Sequence, residues 1–120
     1  MVPALRLTLR IDVEGHPTLG HGKIRLLEHV AATGSISAAG RAMGMSYRRA
    51  WLLIDALNHQ FTKPLVETKP GGGGGASLSE TGQAVVDCYR AAEKEATAGA
   101  KASLGTLASL VKRPEKAAAS

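Results

Sequence analysis

The chain has 120 residues, one domain's worth, with 44% hydrophobic residues but only 3% aromatic ones, so its core must be aliphatic and alanine-built. A net charge of +5 and a pI near 9.7 suit a polyanionic partner, although many soluble basic proteins look the same. Cys88 is the single cysteine, which excludes an intramolecular disulfide and fits a reducing compartment; with no signal peptide and no apolar run near membrane-span length, a cytoplasmic protein without membrane association is expected.

From the N-terminus, Leu5, Leu7, Leu9, Ile11 and Val13 alternate with Arg6, Thr8, Arg10 and Asp12. This period of two predicts a half-buried strand that must pair with an edge elsewhere, and a later hairpin offers one. Gly15 to Gly22 reads as a loop. Lys23 to Ala32 reads as a helix with Ile24, Leu27, Val30 and Ala31 on one face, ending at Thr33-Gly34.

The stretch from Gly34 to Phe61 is the most informative. Ser35 is an N-cap candidate, and Ile36, Ala39, Gly40 and Met43 fall on one helical face behind it. Ala38-Ala39-Gly40 is nearly free of side chains, so a second helix can cross it closely. Gly44 can take the positive φ that stops this helix, and Ser46 caps the next. In that second helix, Ala50, Ile54, Leu57 and Phe61 form a narrow buried stripe, with Arg48, Asp55 and His59 opposite. Arg49 and Trp51 flank the stripe, and Trp51 is expected to pack between helices rather than stack on a base. Leu52 also points away from the stripe, so part of the outer face is expected to be covered. Two helices, a tight turn, and a second helix opening on paired arginines match a helix-turn-helix, whose second helix enters the major groove of duplex DNA. An ordinary core helix with two solvated arginines is the plainer alternative; the turn and the small-residue helix before it weigh against that alternative.

After Pro64, Leu65 to Lys69 and Ala76 to Ser79 read as two strands around the glycine run of Pro70 to Gly75. A hairpin in this place is a wing, with Lys63 and Lys69 supplying charge at its base. The glycines are not a phosphate-binding loop of the G-x-x-x-x-G-K-[ST] kind, since Ala76-Ser77 follows Gly75 with no lysine. Ser79 caps a further helix to about Ala96, with Val85, Tyr89, Ala92 and Ala96 as its stripe and Val86 widening it. Residues 1–96 are thus read as the winged domain and 97–120 as a tail, in which Leu104, Leu107, Leu110 and Val111 suggest a short helix for a partner subunit before a frayed end.

Charge is uneven along the chain. Between Arg41 and Lys69 five cations oppose two anions, and from Ala98 onward four oppose one. Phosphate neutralisation by such a basic surface releases counterions and drives affinity. No nucleophile–base–orienter set can be placed, so the chain is read as a non-enzyme with no catalytic residues and no cofactor. His16 and His21 lack accompanying cysteines or carboxylates, so no metal site is expected.

The segments GSISAAGRAMGMSYRRAW (34–51), DALN (55–58), PLVETKPGGGGGASLSETG (64–82) and LRLTLRID (5–12) strongly resemble the DNA-binding domain of ModE-type molybdate-responsive transcriptional regulators. A looser likeness to the LysR-type reading domain runs through the same region. The resemblance covers residues 4 to 95 and implies a homodimer on a palindromic operator, controlling genes of molybdenum uptake and use. Full-length members bind molybdate in C-terminal β-barrel domains; the residues after 95 are too few for one, so no ligand-binding residue is carried over. The sequence leaves constitutive DNA binding, a separate sensor protein, or a different signal.

The predicted fold is mainly α with a small β component: a winged helix-turn-helix with an added N-terminal strand and a C-terminal helix. The predicted partner is double-stranded DNA. Ser46, Tyr47, Arg48 and Arg49 form the first turn of the reading helix, where arginine can take guanine O6 and N7 together. Ser35 and Ser37 are placed to hold a phosphate. Lys63, Lys69, Gly71, Gly72, Gly73, Gly74 and Gly75 make the wing contact. Two other classes stay open: a winged-helix protein-interaction module, and a small-oxyanion binder.

Overall fold

In the computed structural model, which describes residues 3–69 and 75–113, the chain runs β1 (Arg10–Ile11), β2 (Leu19–Gly20), α1 (His21–Thr33), α2 (Ile36–Ala42), α3 (Tyr47–Gln60), β3 (Val66–Thr68), β4 (Ala76–Leu78), α4 (Glu80–Gly99) and α5 (Lys101–Leu110). It is a winged helix-turn-helix with a leading strand and trailing helices. Helix α1 is the axis of the core. It buries Ile24, Leu26, Leu27 and Val30 against Ile36 and Ala39 of α2, Ala50, Ile54 and Leu57 of α3, and Val86 and Tyr89 of α4. The expected α1 face needs correction, because Leu26 is buried and Ala31 is exposed. A helix packed on several sides needs a wider apolar arc than a single stripe.

Local chemistry sets the helix starts. The Ser35, Ser46 and Ser79 hydroxyls accept the backbone N–H groups of Ala38, Arg49 and Gly82 at 3.1, 3.1 and 3.0 Å. Each satisfies one orphan donor of its helix. Between α2 and α3 the chain reverses at Gly44, whose φ of 68° puts it in the left-handed region. The two helices then cross so closely that a Cβ on Gly40 would meet the Ala50 Cβ at 3.0 Å.

Strands β3 and β4 pair antiparallel, Val66 opposite Leu78 and Thr68 opposite Ala76. Residues 70–74 of the glycine run, including Gly71 to Gly74, lie outside the described residues. The hairpin is fastened at three points. Ala76 N–H donates to the Gly34 carbonyl at 2.8 Å. Asn58 on α3 accepts from the Leu65 and Val66 N–H groups at 2.9 and 3.0 Å and donates to the Val66 carbonyl at 3.2 Å. At the far end, Ser79 N–H donates to the Leu65 carbonyl at 2.8 Å. Helix α4 presses its first turn on that carbonyl, so Gly82 has no room for a side chain.

The N-terminal strand departs from expectation. Burial alternates from Leu5 to Val13 as predicted, yet only Arg10–Ile11 form a ladder, and the partner is Leu19–Gly20 rather than the wing. The reason is the length of α1. Its N-terminus follows β2 directly and its C-terminus reaches Gly34, where the wing attaches. Thirteen residues of helix hold the two places about 20 Å apart. The strand is held instead by Tyr89 of α4, whose hydroxyl donates to the Leu9 carbonyl at 2.6 Å.

Helix α4 also outruns its expected end, continuing to Gly99, and its buried line is Gly82, Val86 and Tyr89, with Val85 only half-buried. Helix α5 follows across Ala100 and buries Ala108, leaving Leu107 and Leu110 exposed. The radius of gyration is 17.9 Å, against about 14 Å for a compact chain of this length, and the longest extent is 55 Å.

Candidate nucleic-acid interface

The first turn of α3 stands clear of the core. Tyr47, Arg48 and Arg49 are all exposed, and neither guanidinium has an ion-pair or hydrogen-bond partner among the described residues. Ala50 and Ile54 behind them are anchored in the core, so the helix cannot roll to hide the arginines. The Ser46 cap fixes where the helix begins, and its own oxygen is engaged by the Arg49 N–H.

Beside this turn runs a groove of about 500 Å³ between the start of α2, the Tyr47–Trp51 edge of α3 and the base of the wing. It brings Ser35, Ser37, Tyr47, Lys69 and Gly75 together with Trp51 and Thr68. Lys69 lays its aliphatic stem on Gly75, where a Cβ would meet the lysine Cδ at 3.2 Å, and its N–H donates to the Gly75 carbonyl at 3.0 Å. Ser37 accepts a 2.9 Å hydrogen bond from Arg41, a cation outside the expected contact set. The four-residue spacing of Ser37 and Arg41 on one helix was the available signal. The Ser37 hydroxyl still carries a proton it can donate, beside a guanidinium, a pairing that suits an anionic oxygen.

Some expectations change. Trp51 does not pack between helices: it is 44% exposed and lines the groove, because α2 crosses α3 at Ala50 and leaves this edge open toward the wing. Leu52 is not covered either and is 51% exposed. Lys63 lies apart, exposed on a separate hollow that Pro64, Glu67, Ser79 and Glu80 also line. Asn58, outside the expected contact set, joins α3 to the wing; an amide on a half-buried helix face just before a strand is its only sequence signal.

A second polar cluster sits on the other side of α1. Arg90 holds both oxygens of Glu28 at 2.7 and 3.0 Å and Glu93 at 2.7 Å. The Arg90 guanidinium keeps the Glu28 carboxyl below its ordinary range, and the same hydrogen bond raises Arg90. This cluster ties α1 to α4 and shares no residue with the α3 groove. No group of three or more histidine, cysteine, aspartate or glutamate residues suited to a metal occurs among the described residues, and no helix there is long and apolar enough to cross a membrane.

A buttressed helix with a basic first turn, flanked by a hairpin, defines the winged helix-turn-helix class of DNA-reading domains. The chain matches the family model for bacterial regulatory helix-turn-helix proteins of the lysR family over residues 21–83, more than half its length, and belongs to that family. It is 41% identical over 111 residues to the molybdenum-pterin-binding protein MopA of Rhodobacter capsulatus, covering 91% of this chain and 40% of that one. It is 38% identical over 89 residues to the molybdenum transport protein ModE of Azotobacter vinelandii, covering 72% and 33%. With the DNA-binding transcriptional dual regulator ModE of Escherichia coli (strain K12) it shares 42% over 69 residues, covering 56% and 26%. The resemblance to ModE-type regulators read from the sequence thus recurs in these relatives, although the chain spans 40% or less of their lengths. Among solved structures, the DNA complex of the CbnR DNA-binding domain superposes with a TM-score of 0.57 at 20% identity, covering 72% of this chain and 95% of that one. Full-length CbnR with its target DNA superposes at 0.54 and 21% identity, covering 68% and 27%. At such identities the likeness is one of fold.

Proposed function

We propose that this protein reads a specific operator in duplex DNA, as a homodimer on a palindromic site, and so controls molybdenum-related genes in the cytoplasm. The observation that carries the reading is the capped, outward-facing first turn of α3, with Arg48 and Arg49 exposed beside the groove of Ser35, Ser37, Tyr47 and Lys69. Arg48 and Arg49 take base edges in the major groove, guanine O6 and N7 being the bidentate match for a guanidinium. Ser35, Ser37 and Ser46 donate their hydroxyls to phosphates, Tyr47 contacts backbone or base edge, and Lys69 with Gly75 sets the wing on the sugar-phosphate chain. Gly71 to Gly74 extend the wing contact, and Lys63 adds charge at its base. The molybdenum connection is supported by the names of the relatives. Two-fold pairing is supported by the exposed Leu107 and Leu110 on α5. Residues 1–96 are the reading domain and 97–120 the dimerising tail.

Duplexes selected from a random pool, then titrated by fluorescence anisotropy across a salt series, test the reading. The expected result is tight binding to one palindromic family, with an affinity that falls steeply as salt rises. A chain that selects no duplex and shows no salt-dependent affinity is instead a protein-interaction module, or, if calorimetry detects molybdate alone, an oxyanion binder.

A further inference from the structure

The outer face of α3 is unusual for a helix flanked by arginines. Tyr47, Trp51 and Leu52 are 58%, 44% and 51% exposed within its first two turns. Single exposed leucines are ordinary, but this one has a particular place. At 100° per residue Leu52 lies nearly opposite the Ile54–Leu57 stripe, at the centre of the outward face, directly below Arg48 one turn earlier. Trp51 is turned toward the wing groove, so it follows the backbone lane, whereas Leu52 shares the lane of Arg48.

The major groove offers hydrogen-bonding groups at every base pair and one prominent apolar group, the 5-methyl of thymine. An exposed leucine centred on a groove-facing helix, beneath a cation suited to guanine, therefore has one apolar target there. We propose that Leu52 is a specificity-determining residue that reads a thymine 5-methyl group. The inference rests on the reading of α3 as the helix that enters the groove. Four residues of helix rise about 6 Å, so the methyl lies about two base pairs from the base that Arg48 contacts. A protein partner is the competing occupant of this face. It is disfavoured by the two unpartnered arginines that border the leucine, against a single acidic residue in α3, Asp55, which lies 3.6 Å from His59.

The test exchanges thymine for uracil, which removes the methyl and keeps every base-pairing group. Duplexes selected by the wild-type chain are synthesised with thymine, with uracil throughout, and with single thymine-to-uracil changes, and titrated against wild type and Leu52→Ala. Wild type should lose about fourfold in affinity for each contacted methyl. Leu52→Ala should bind the thymine and uracil duplexes within about twofold of each other, at an unchanged urea midpoint. Equal wild-type affinity for the two duplexes would overturn the proposal and leave the patch to a protein. A thymine preference that survives in Leu52→Ala would also overturn it, since the discrimination would then come from DNA shape. Failure to select any duplex is a different result, because it removes the proposed function itself.

Discussion

Replacing Gly82 by alanine sets two effects of opposite sign against each other. Gly82 is the third residue of α4, where alanine is intrinsically preferred by up to about 1 kcal/mol. Its Cβ, however, would overlap the Leu65 carbonyl oxygen and stand 2.9 Å from the Leu65 carbonyl carbon. Relief requires the wing backbone to retreat by about 1 Å, because a carbon–oxygen contact needs about 3.3 Å. Leu65 has little freedom to move. It is fully buried, its N–H is held by Asn58 at 2.9 Å, and its oxygen by Ser79 N–H at 2.8 Å and Ser79 Oγ at 3.2 Å. Overpacking of this kind costs about 1–3 kcal/mol, and a stretched backbone hydrogen bond adds about 1. The net expectation is a loss of about 2 kcal/mol. Equilibrium urea unfolding of wild type, Gly82→Ala and Gly105→Ala measures it. Gly105, inside α5, has nothing within 4 Å of a built Cβ, so alanine there should cost nothing and add up to about 1 kcal/mol of helix propensity. If Gly82→Ala is as stable as wild type, the close approach of α4 to the wing is wrong.

Arg48→Ala or Arg49→Ala should cost about 1–3 kcal/mol on the selected duplex and little on scrambled DNA, whereas Lys69→Ala should weaken both alike and flatten the salt slope; anisotropy titrations that reverse this pattern would reject the assignment of roles. Asn58→Ala strips the Leu65 and Val66 N–H groups of their acceptor and should destabilise by about 2–3 kcal/mol in urea, with Asn58→Asp recovering part because it keeps the accepting oxygen. Acid should weaken the α1–α4 contact. The folded Glu28 carboxyl sits below its ordinary range of 4.5, so its contribution is complete above that pH and disappears as pH falls through the folded value. With its side chain 40% exposed, the contribution stays below about 1 kcal/mol, and urea midpoints from about pH 6 to pH 3 should fall less steeply in Glu28→Gln than in wild type.

The features that were legible in the sequence are those decided within a few residues. Ser35, Ser46 and Ser79 cap because a serine hydroxyl reaches the N–H three residues on, and nothing distant is needed to say so. Gly44 turns the chain for an equally local reason. Of the α3 stripe, Ala50, Ile54 and Leu57 followed from periodicity, and with them the exposure of Arg48 on the far side; Phe61, expected to complete the stripe, lies just past the helix and is half-buried. What escaped depends on which elements meet. Alternation from Leu5 to Val13 specifies a face but names no partner, and only the length of α1 separates that strand from the wing. Gly82 looks like a weak spot in a helix until Leu65 is found against it. Lys63 and Lys69 are equivalent in a count of charge, yet β3 carries one into a groove with Ser35 and Tyr47 and leaves the other on a separate hollow.

Trp51 belongs to both groups. Its position at the edge of the stripe was plain, but whether an edge residue is covered depends on where the neighbouring helix crosses. Because α2 crosses at Gly40 against Ala50, one residue short of Trp51, the indole is left facing the wing. The groove beside α3 is therefore shaped by a packing contact between Gly40 and Ala50, both of which are buried. A bulkier residue at Gly40, where a Cβ already meets Ala50 at 3.0 Å, should tilt α3 and disturb specificity without touching a single exposed side chain. Gly40→Val should thus lower affinity for the selected duplex more than for scrambled DNA, in protein that circular dichroism shows to be folded. An unchanged ratio of the two affinities would mean that the α2–α3 crossing does not set the pose of the reading face.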